Sequence, residues 1–269
     1  MKKNLTVSIE EYIENFYNGD ISFEVKEAYK TVRTNIMFAT NSIEGCKKLI
    51  ITSSVPSEGK STASVNLAIS LAQIGARILL VDADLRSPTV HKFLQLDRSI
   101  GLSSYLSGFN EFDEIITTTK YGFDCVVSGP IPPNPAELFS GDKIKTFFQT
   151  INEKYDYVIV DTPPVNIVSD ATLLSKHVDG VIIVARNKYT AHPSIAKALK
   201  TLSFVNATVL GFLYNDKSLT DESTFYMYGK DTDINTDTDI NTDMDVSRRK
   251  CRSTDIITAK AKNSNKVFV

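Results

Sequence analysis

Short runs of apolar, often β-branched residues recur along the first 215 positions, and segments with helical spacing separate them. The runs are continuously apolar rather than alternating, which is typical of strands covered on both faces of a sheet. We predict strands at 47–54, 76–84, 123–129, 155–162, 179–186 and 207–215. The segments between them, such as 61–75 with its terminal glycine, fit amphipathic helices. This alternation predicts an α/β fold with a doubly wound, mostly parallel sheet of about six or seven strands flanked by helices.

A further helix is predicted ahead of the first strand, from Phe23 to Thr40. Glu27, Lys30 and Arg33 recur on it every three residues and therefore lie on roughly one face. The pattern alone favours a solvated charged face, with an interface as the alternative.

The composition changes abruptly beyond about Tyr228. The hexapeptide TDINTD occurs twice in succession, at 232–237 and 238–243, and a basic stretch SRRKCR and a polar end follow it. Such a composition buries too little apolar surface to offset the entropy cost of ordering, so we predict a disordered C-terminal tail. The predicted organisation is an N-terminal segment (1–22), one domain (23–229) and this tail (230–269).

Overall composition limits the classes of partner. The chain has 269 residues, 42% of them hydrophobic, and a net charge of −2, so no global basic field indicates nucleic acid or an anionic membrane surface. No apolar run approaches the roughly 18 residues that span a bilayer. The three scattered cysteines favour a reducing compartment. We expect a cytoplasmic protein that binds no nucleic acid and reaches a membrane only through a partner.

The stretch SSVPSEGKST, residues 53–62, follows the first predicted strand and resembles a phosphate-binding loop. Such a loop needs a tight turn with inward-facing N–H groups, a lysine for the phosphates and a hydroxyl for Mg²⁺ at a helix start. The G-x-x-x-x-G-K-[ST] pattern is broken only at its first glycine, where the chain has Ser54. The candidate nucleotide contacts in the loop are Ser57, Glu58, Gly59, Lys60, Ser61 and Thr62.

Carboxylates at the ends of two other predicted strands support the interpretation of this loop as a nucleotide-binding site. Asp82 and Asp84 end the second predicted strand, and Asp161 ends the fourth. Each alone fits an exposed turn, but the carboxyl ends of parallel strands meet at one sheet edge, where nucleotides bind. The combination predicts an Mg·ATP or Mg·GTP site. Asn215 is followed by Asp216 rather than by the lysine of a guanine-specifying N-K-x-D motif. ATP is therefore favoured over GTP.

Six segments together resemble the BY-kinases, the cytoplasmic tyrosine kinases of bacterial capsule and exopolysaccharide export. They are EAYKTVRTNI (27–36), SSVPSEGKST (53–62), LLVDADLRSP (79–88), SGPIPPNPAELF (128–139), VIVDTPP (158–164) and SDA (169–171). The similarity covers about residues 23 to 216, and Arg86, Pro88 and the NPAEL segment lie outside any generic nucleotide loop. The resemblance implies an ATP-dependent protein-tyrosine kinase that phosphorylates its own C-terminal tyrosines and regulates polysaccharide synthesis and export.

The resemblance also implies roles for the loop residues. Lys60 would hold the β and γ phosphates, Ser61 would ligate Mg²⁺, and Thr62 would contact the α phosphate. The similar kinases also begin this loop with a small residue other than glycine. They usually have glycine at the position of Ser57, so a turn that requires a positive φ there would cost a serine on the order of 1 kcal/mol.

The carboxylates receive roles by the same resemblance. Asp84 and Asp161 would hold the metal, directly or through water, and Asp82 would orient or deprotonate the incoming tyrosine, although Asp82 and Asp84 could exchange these roles. A phenol has a pKa of about 10, so a base or strong metal polarisation is needed at neutral pH. Asn215, at the end of the last predicted strand, is counted among the nucleotide contacts.

The candidate phosphoacceptors are Tyr226 and Tyr228, with aromatic packing against the domain as the alternative. The family forms rings through a Glu and two Arg on the first helix. Glu27 and Arg33 match, whereas Lys30 replaces an arginine and keeps the charge without the bidentate fork. The resemblance therefore implies a homo-oligomer, a membrane-anchored activator of the polysaccharide chain-length type and possible protein substrates of polysaccharide synthesis.

Two alternatives remain from the sequence. A positioning ATPase of the ParA/MinD kind has the same sheet but carries a second lysine in its loop, at the position of Val55 in this chain. A scaffold that binds ATP without kinase activity would fit the sparse tyrosines of the tail.

Overall fold

The computed structural model describes residues 8–215 and the backbone of residues 267–268. Its strands are β1 (Lys47–Ser53), β2 (Ile78–Asp82), β3 (Thr117–Thr118), β4 (Asp124–Val126), β5 (Tyr157–Asp161), β6 (Gly180–Arg186), β7 (Val209–Asn215) and β8 (Val267–Phe268). They form one sheet in the order β3-β4-β2-β5-β1-β6-β7-β8. Every strand pair is parallel except β3 with β4. The predicted α/β fold and all six predicted strands are confirmed.

Helices alternate with these strands. They are α1 (Ile9–Asn18), α2 (Phe23–Ala39), α3 (Lys60–Ala72), α4 (Val90–Leu94), α5 (Leu102–Leu106), α6 (Pro135–Ser140), α7 (Asp142–Thr150), α8 (Asp170–Leu174) and α9 (His192–Phe204). Short 3₁₀ helices occupy Phe112–Ile115, Ile151–Glu153 and Ser175–His177. Within residues 8–215, none of the helices has the length and apolar character to cross a membrane.

Two apolar clusters, one on each face of the sheet, explain the continuous hydrophobic runs. Successive residues of a strand point to opposite faces. In β1, Ile50 therefore belongs to one cluster, and Leu49 and Ile51 belong to the other. All three side chains are fully buried. Because helices cover both faces, the strand is buried on both sides from Leu49 onward, and only Lys47 and Lys48 at its start are partly exposed.

The N-terminal segment contains a helix that the apolar runs did not reveal. Ser8 caps α1, since its Oγ accepts a hydrogen bond from the N–H of Glu11 at 3.1 Å. Ile13 and Phe16 of α1 are buried in the same cluster as Val32 and Ile36 of α2. These contacts place α1 against the helices on one face of the sheet.

The prediction of a disordered tail falls almost entirely outside the described residues, as do Tyr226, Tyr228 and both TDINTD repeats. Of residues 230–269, the structure describes only Val267–Phe268, whose backbone pairs in parallel with β7.

Candidate active site

The sheet order explains why the phosphate loop and the carboxylates meet. β5 lies between β1 and β2, so the loop that leaves β1 and the carboxyl ends of the other two strands are neighbours. Asp82 and Asp161 are opposite each other in the β2–β5 pair. The sequence predicted that these residues share an edge, and the topology places them on adjacent strands.

Lys60 is the first residue of α3 and lies among the carboxylates. Its Nζ is 2.9 Å from Oδ2 of Asp84 and 3.6 Å from Oδ2 of Asp161. It also donates a hydrogen bond to Oγ of Ser61 at 3.1 Å. Burial alone would lower the pKa of Lys60, but the charges of Asp161 and Asp84 outweigh it and raise that pKa. Lys60 therefore carries a positive charge at neutral pH.

Asp161 is fully buried and binds two hydroxyl groups of α3. Ser61 Oγ donates to its Oδ2 at 2.5 Å, and Ser64 Oγ donates to its Oδ1 at 3.2 Å. Burial raises the pKa of Asp161, while Lys60 and Ser61 oppose that rise. The end of β5 is thereby held against the first turn of α3.

The two carboxylates after β2 differ in their surroundings. Asp82 is fully buried, and its carboxylate accepts the backbone N–H groups of Asp84 at 3.2 Å and Val90 at 3.3 Å. Burial and then the charge of Asp161 raise the pKa of Asp82 well above its ordinary value. Asp84 instead pairs with Lys60 and accepts the N–H of Ser87 at 3.0 Å. Asp82 is thus held by backbone N–H groups in full burial, whereas Asp84 lies against the Lys60 ammonium.

Replacing Asp82 by asparagine is expected to stabilise the nucleotide-free protein at neutral pH. The pKa of Asp82 is higher in the folded protein than the ordinary value of an aspartate, so its favourable contribution to stability is present below that ordinary value and lost as pH rises through the folded pKa. The Asp82→Asn variant should therefore melt at a higher temperature than the wild type near pH 7.5, and the difference should shrink as pH falls. Thermal melting across pH measures both.

A matched control for this prediction is Asp97, whose exposed carboxylate has a pKa lowered by the Ser99 hydroxyl. Asp97→Asn should not raise the melting temperature at neutral pH. Equal melting of Asp82→Asn and wild-type protein at pH 7.5 would contradict the prediction.

The turn of the phosphate loop contains two residues in the left-handed region. Ser57 has a φ of 63° and Gly59 has a φ of 89°. A Cβ on Gly59 would lie 2.1 Å from Nδ2 of Asn215, so a larger residue there would also force the Asn215 side chain to shift. The condition stated for Ser57, a turn that needs a positive φ, is met.

Replacing Ser57 by glycine is expected to raise the free energy of unfolding by up to about 1 kcal/mol, because an L-residue in the left-handed region is strained and glycine is not. Chemical denaturation measures this gain. Ser57→Ala is the control, since alanine has the same backbone restriction and should bring no gain. A Ser57→Gly variant no more stable than the wild type would show that the strain is relieved elsewhere.

Glu58, counted among the candidate nucleotide contacts, turns its side chain into the loop. Its side chain is fully buried inside the loop, so a nucleotide could meet only its main chain. The carboxylate binds Ser54, Val55 and Thr190. Thr190 was missed by sequence reasoning because it lies 132 positions away and belongs to no motif.

The segments LRSP and SDA, which contributed to the family resemblance, meet in an ion pair. Arg86 donates from Nε to Oδ2 of Asp170 at 3.0 Å and from Nη2 to Oδ1 at 3.2 Å. The Asp170 side chain is fully buried, whereas that of Arg86 is 40% exposed. This bidentate pair ties the chain after β2 to the start of α8.

The remaining predicted residues divide into three groups. Asn215, at the end of β7, donates from Nδ2 to the carbonyl of Glu58 at 3.1 Å, and Thr62 is half-buried on the first turn of α3. On α2, Lys30 pairs with Glu27 at 2.7 Å on the surface. Arg33 points away from that pair and donates to the carbonyl of Ser70 on α3 at 2.7 Å. The structure thus joins two of the three predicted interface residues.

The donor set at the sheet edge fits Mg²⁺. Within the described part of the chain, no group of three His, Cys, Asp or Glu side chains could enclose a metal by itself. Mg²⁺ needs no such cage, because it binds one or two carboxylates and completes its shell with water and substrate phosphates. Asp84, Asp161 and the hydroxyl of Ser61 supply hard oxygen ligands beside the loop.

Comparison with known families identifies the nucleotide-binding fold. Residues 46–246 match the family model described as "ParA: NUBPL iron-transfer P-loop NTPase". The match covers more than half of the chain.

Individual relatives narrow this to one branch. The chain is 41% identical over 204 residues to the tyrosine-protein kinase YwqD of Bacillus subtilis. The aligned region covers 76% of this chain and 86% of that protein. The kinase domain of the Escherichia coli tyrosine kinase ETK superposes with a TM-score of 0.68 at 33% identity, covering 72% of this chain and 77% of that one. The chimerical protein CapA2B2 superposes with a TM-score of 0.66 at 36% identity, covering 69% and 82% respectively.

Proposed function

The chain belongs to the BY-kinases, the bacterial tyrosine kinases of capsule and exopolysaccharide synthesis within the ParA/MinD superfamily of P-loop NTPases, and from this membership we propose a specific site and mechanism. It transfers the γ-phosphoryl group of Mg·ATP to Tyr226 or Tyr228 of its own C-terminal region. The observation that carries the proposal is the position of Lys60, 2.9 Å from Asp84, beside the 2.5 Å bond between Ser61 and Asp161.

The start of α3 binds the phosphates in this proposal. The N–H groups of Gly59, Lys60 and Ser61 are free of helical partners there and face the anion together with the positive end of the helix dipole. Thr62 contacts the α phosphate, and Asn215 contacts the nucleotide from the end of β7. Lys60 leaves its carboxylate partners and binds the β and γ phosphates. The phosphates then take the place of Asp84 and Asp161 as the negatively charged partners of the lysine.

Ser61, Asp84 and Asp161 would hold Mg²⁺. When bound, the ion neutralises charge that develops on the transferring phosphoryl group. The departure of Lys60 frees both carboxylates for this role, so the lysine preserves the site until nucleotide arrives. The same three side chains therefore serve the empty and the loaded states with different partners.

Asp82 receives the tyrosine proton in this proposal. The phenolic oxygen attacks the γ phosphorus, its proton passes to the Asp82 carboxylate, and the bond to the β–γ bridging oxygen breaks to release ADP. The raised pKa of Asp82 makes it a stronger base than an ordinary aspartate. Because Asp82 is fully buried, the residues that cover it must move aside before a tyrosine can reach it.

The partners follow from family membership and the surface. We propose that a membrane-anchored protein of the chain-length type activates the kinase and recruits it from the cytoplasm to the inner face of the plasma membrane. The similarity to a chimerical protein, CapA2B2, supports a search for such a second component. The exposed Glu27–Lys30 pair supports assembly of several copies through α2, and Arg33 would have to leave Ser70 to take part.

One experiment tests the function. The purified full chain is mixed with the cytoplasmic tail of its activator and Mg·ATP, and phosphotyrosine is located by mass spectrometry. We expect modification at Tyr226 or Tyr228 and its loss when both are replaced by phenylalanine. ATP hydrolysis without phosphotyrosine would support a positioning ATPase, and binding without turnover would support a scaffold. Modification confined to other residues would refute the assigned acceptors.

A further inference from the structure

We propose that Glu58 is a positioning residue of the phosphate loop and that Thr190, from the β6–α9 connection, holds its carboxylate in place. This inference rests on the proposed nucleotide site but not on the identity of the phosphate acceptor. It assigns Glu58 no contact with the substrate through its side chain. The role is to keep the turn from Pro56 to Gly59 in its binding conformation before any phosphate arrives.

The first support is the surroundings of the Glu58 carboxylate. Its exposed fraction is 0%, in a loop whose neighbouring residues Pro56 and Ser57 are exposed. Oε2 accepts the backbone N–H of Val55 at 2.9 Å, and the Ser54 hydroxyl lies 3.2 Å from both carboxylate oxygens. A buried carboxylate is costly unless hydrogen bonds compensate it, and here the loop itself supplies them.

The same contacts explain the missing first glycine of the motif. Ser54 stands at that position, and its hydroxyl is a donor that a glycine lacks. The loop is therefore closed by a side-chain bridge from Ser54 to Glu58 across four positions. Because the bridge forms within the nucleotide-free chain, it orders the turn without any help from a ligand.

Thr190 connects this bridge to another part of the fold. Its hydroxyl donates to Oε1 of Glu58 and accepts the backbone N–H of Arg186 at 2.7 Å. Arg186 ends β6, the neighbour of β1 in the sheet. The Thr190 hydroxyl therefore anchors the Glu58 carboxylate to the end of an adjacent strand, 132 positions away along the chain.

The main chain of Glu58 has a further contact. Its carbonyl accepts a hydrogen bond from Nδ2 of Asn215 at 3.1 Å, and the carbonyl of Ser57 accepts one from Nη1 of Arg186 at 3.4 Å. The turn is thus bound to the ends of both β6 and β7. Fixing those carbonyls outward leaves the N–H groups of the same turn directed toward the phosphate position.

The test uses the full chain and two probes, Mg·ADP and Mg·tripolyphosphate, with affinities measured by calorimetry. Tripolyphosphate has no base or ribose, so it reports on the phosphate loop alone. Glu58→Gln and Thr190→Val are each expected to lower the affinity for both probes by about tenfold, because each removes a charge-assisted hydrogen bond that preorganises the turn. Thr190→Ser keeps the hydroxyl and should retain the wild-type affinity.

Two further results distinguish positioning from a general loss of structure. Combining Glu58→Gln with Thr190→Val should cost no more affinity than the larger single effect, because both changes break the same contact. In the kinase assay, the variants should show a raised KM for ATP with a largely retained rate at saturating ATP.

The proposal would be overturned by unchanged tripolyphosphate affinity in either single variant, or by an equal loss in Thr190→Ser. Additive losses of affinity in the double variant would show that Glu58 and Thr190 do not act through one contact, and would also overturn the proposal. A wild-type chain that binds both probes but forms no phosphotyrosine would refute the kinase proposal and leave this one standing.

Discussion

Replacing Lys60 by methionine is expected to abolish tyrosine phosphorylation, with a fall in rate of at least about a hundredfold, the scale of losing one preorganised charge at a reacting group. Methionine fills a similar volume but carries no charge. In the structure the Lys60 ammonium lies 2.9 Å from the Asp84 carboxylate and 3.6 Å from the Asp161 carboxylate. The substitution therefore removes a positive charge that contacts both carboxylates. Quantitative mass spectrometry of phosphotyrosine, with Mg·ATP in excess, measures the loss.

Lys48 provides the control for this change. It lies in β1, the strand that precedes the loop, and its Nζ is 3.9 Å from Asp179 and 2.9 Å from Oδ1 of Asn152. Lys48→Met also removes a partly buried lysine from an ion pair, but at the start of the strand and away from the phosphate loop. It should keep most of the activity. A Lys60→Met variant that is folded and retains more than about a tenth of the wild-type rate would contradict the proposed role.

Replacing Gly101 by alanine is expected to destabilise the fold by about 3 kcal/mol, the upper end of the usual cost of overpacking. A Cβ there would lie 2.2 Å from the carbonyl oxygen of Val127 and 2.4 Å from the backbone nitrogen of Gly129. Both are backbone atoms that cannot rotate away. They also belong to a junction in which the N–H of Leu102 donates to the Val127 carbonyl at 2.8 Å, so relief of the clash breaks the bond that holds α5 to the end of β4.

Chemical denaturation measures this loss, and the melting temperature should fall by roughly 6–12 °C. Gly141 is the matched control, because it also precedes a helix, and a Cβ there would lie 3.6 Å from the Leu138 carbonyl. Its φ of −76° suits alanine, so Gly141→Ala should be neutral or slightly stabilising. Equal stability of the two variants would mean that the backbone around Gly101 adjusts at little cost.

Much of the site could be predicted because its signals are local. A continuously apolar run followed by an aspartate marks both a buried strand and its carboxyl end, and this sufficed for Asp82, Asp84 and Asp161. The G-K-S-T tetrapeptide at 59–62 marks a helix start whose N–H groups have no partners. Family resemblance then narrowed a nucleotide site to a kinase.

Other features had no local signal. The two-residue strand Thr117–Thr118 pairs antiparallel with β4, and two polar residues carry no periodicity from which a strand could be predicted. Arg33 shares a helical spacing with Glu27 and Lys30, yet its long side chain turns to the carbonyl of Ser70. Spacing gives the position of a Cβ on a helix, whereas the direction of a long side chain depends on which acceptor lies within reach.

The sequence by itself determined the alternation of strands and helices, the strand ends that carry carboxylates and the position of the candidate phosphate-binding loop, because each is encoded by neighbouring positions along the chain. Only the tertiary structure decided the order of the strands, and with it which side chains meet at their ends. The contact between Glu58 and Thr190 exists because β6 lies beside β1. The pairing of Lys60 with both Asp84 and Asp161 exists because β5 lies between β1 and β2. Such contacts depend on long-range packing of apolar faces. This packing leaves no local sequence pattern at the residues that it brings together.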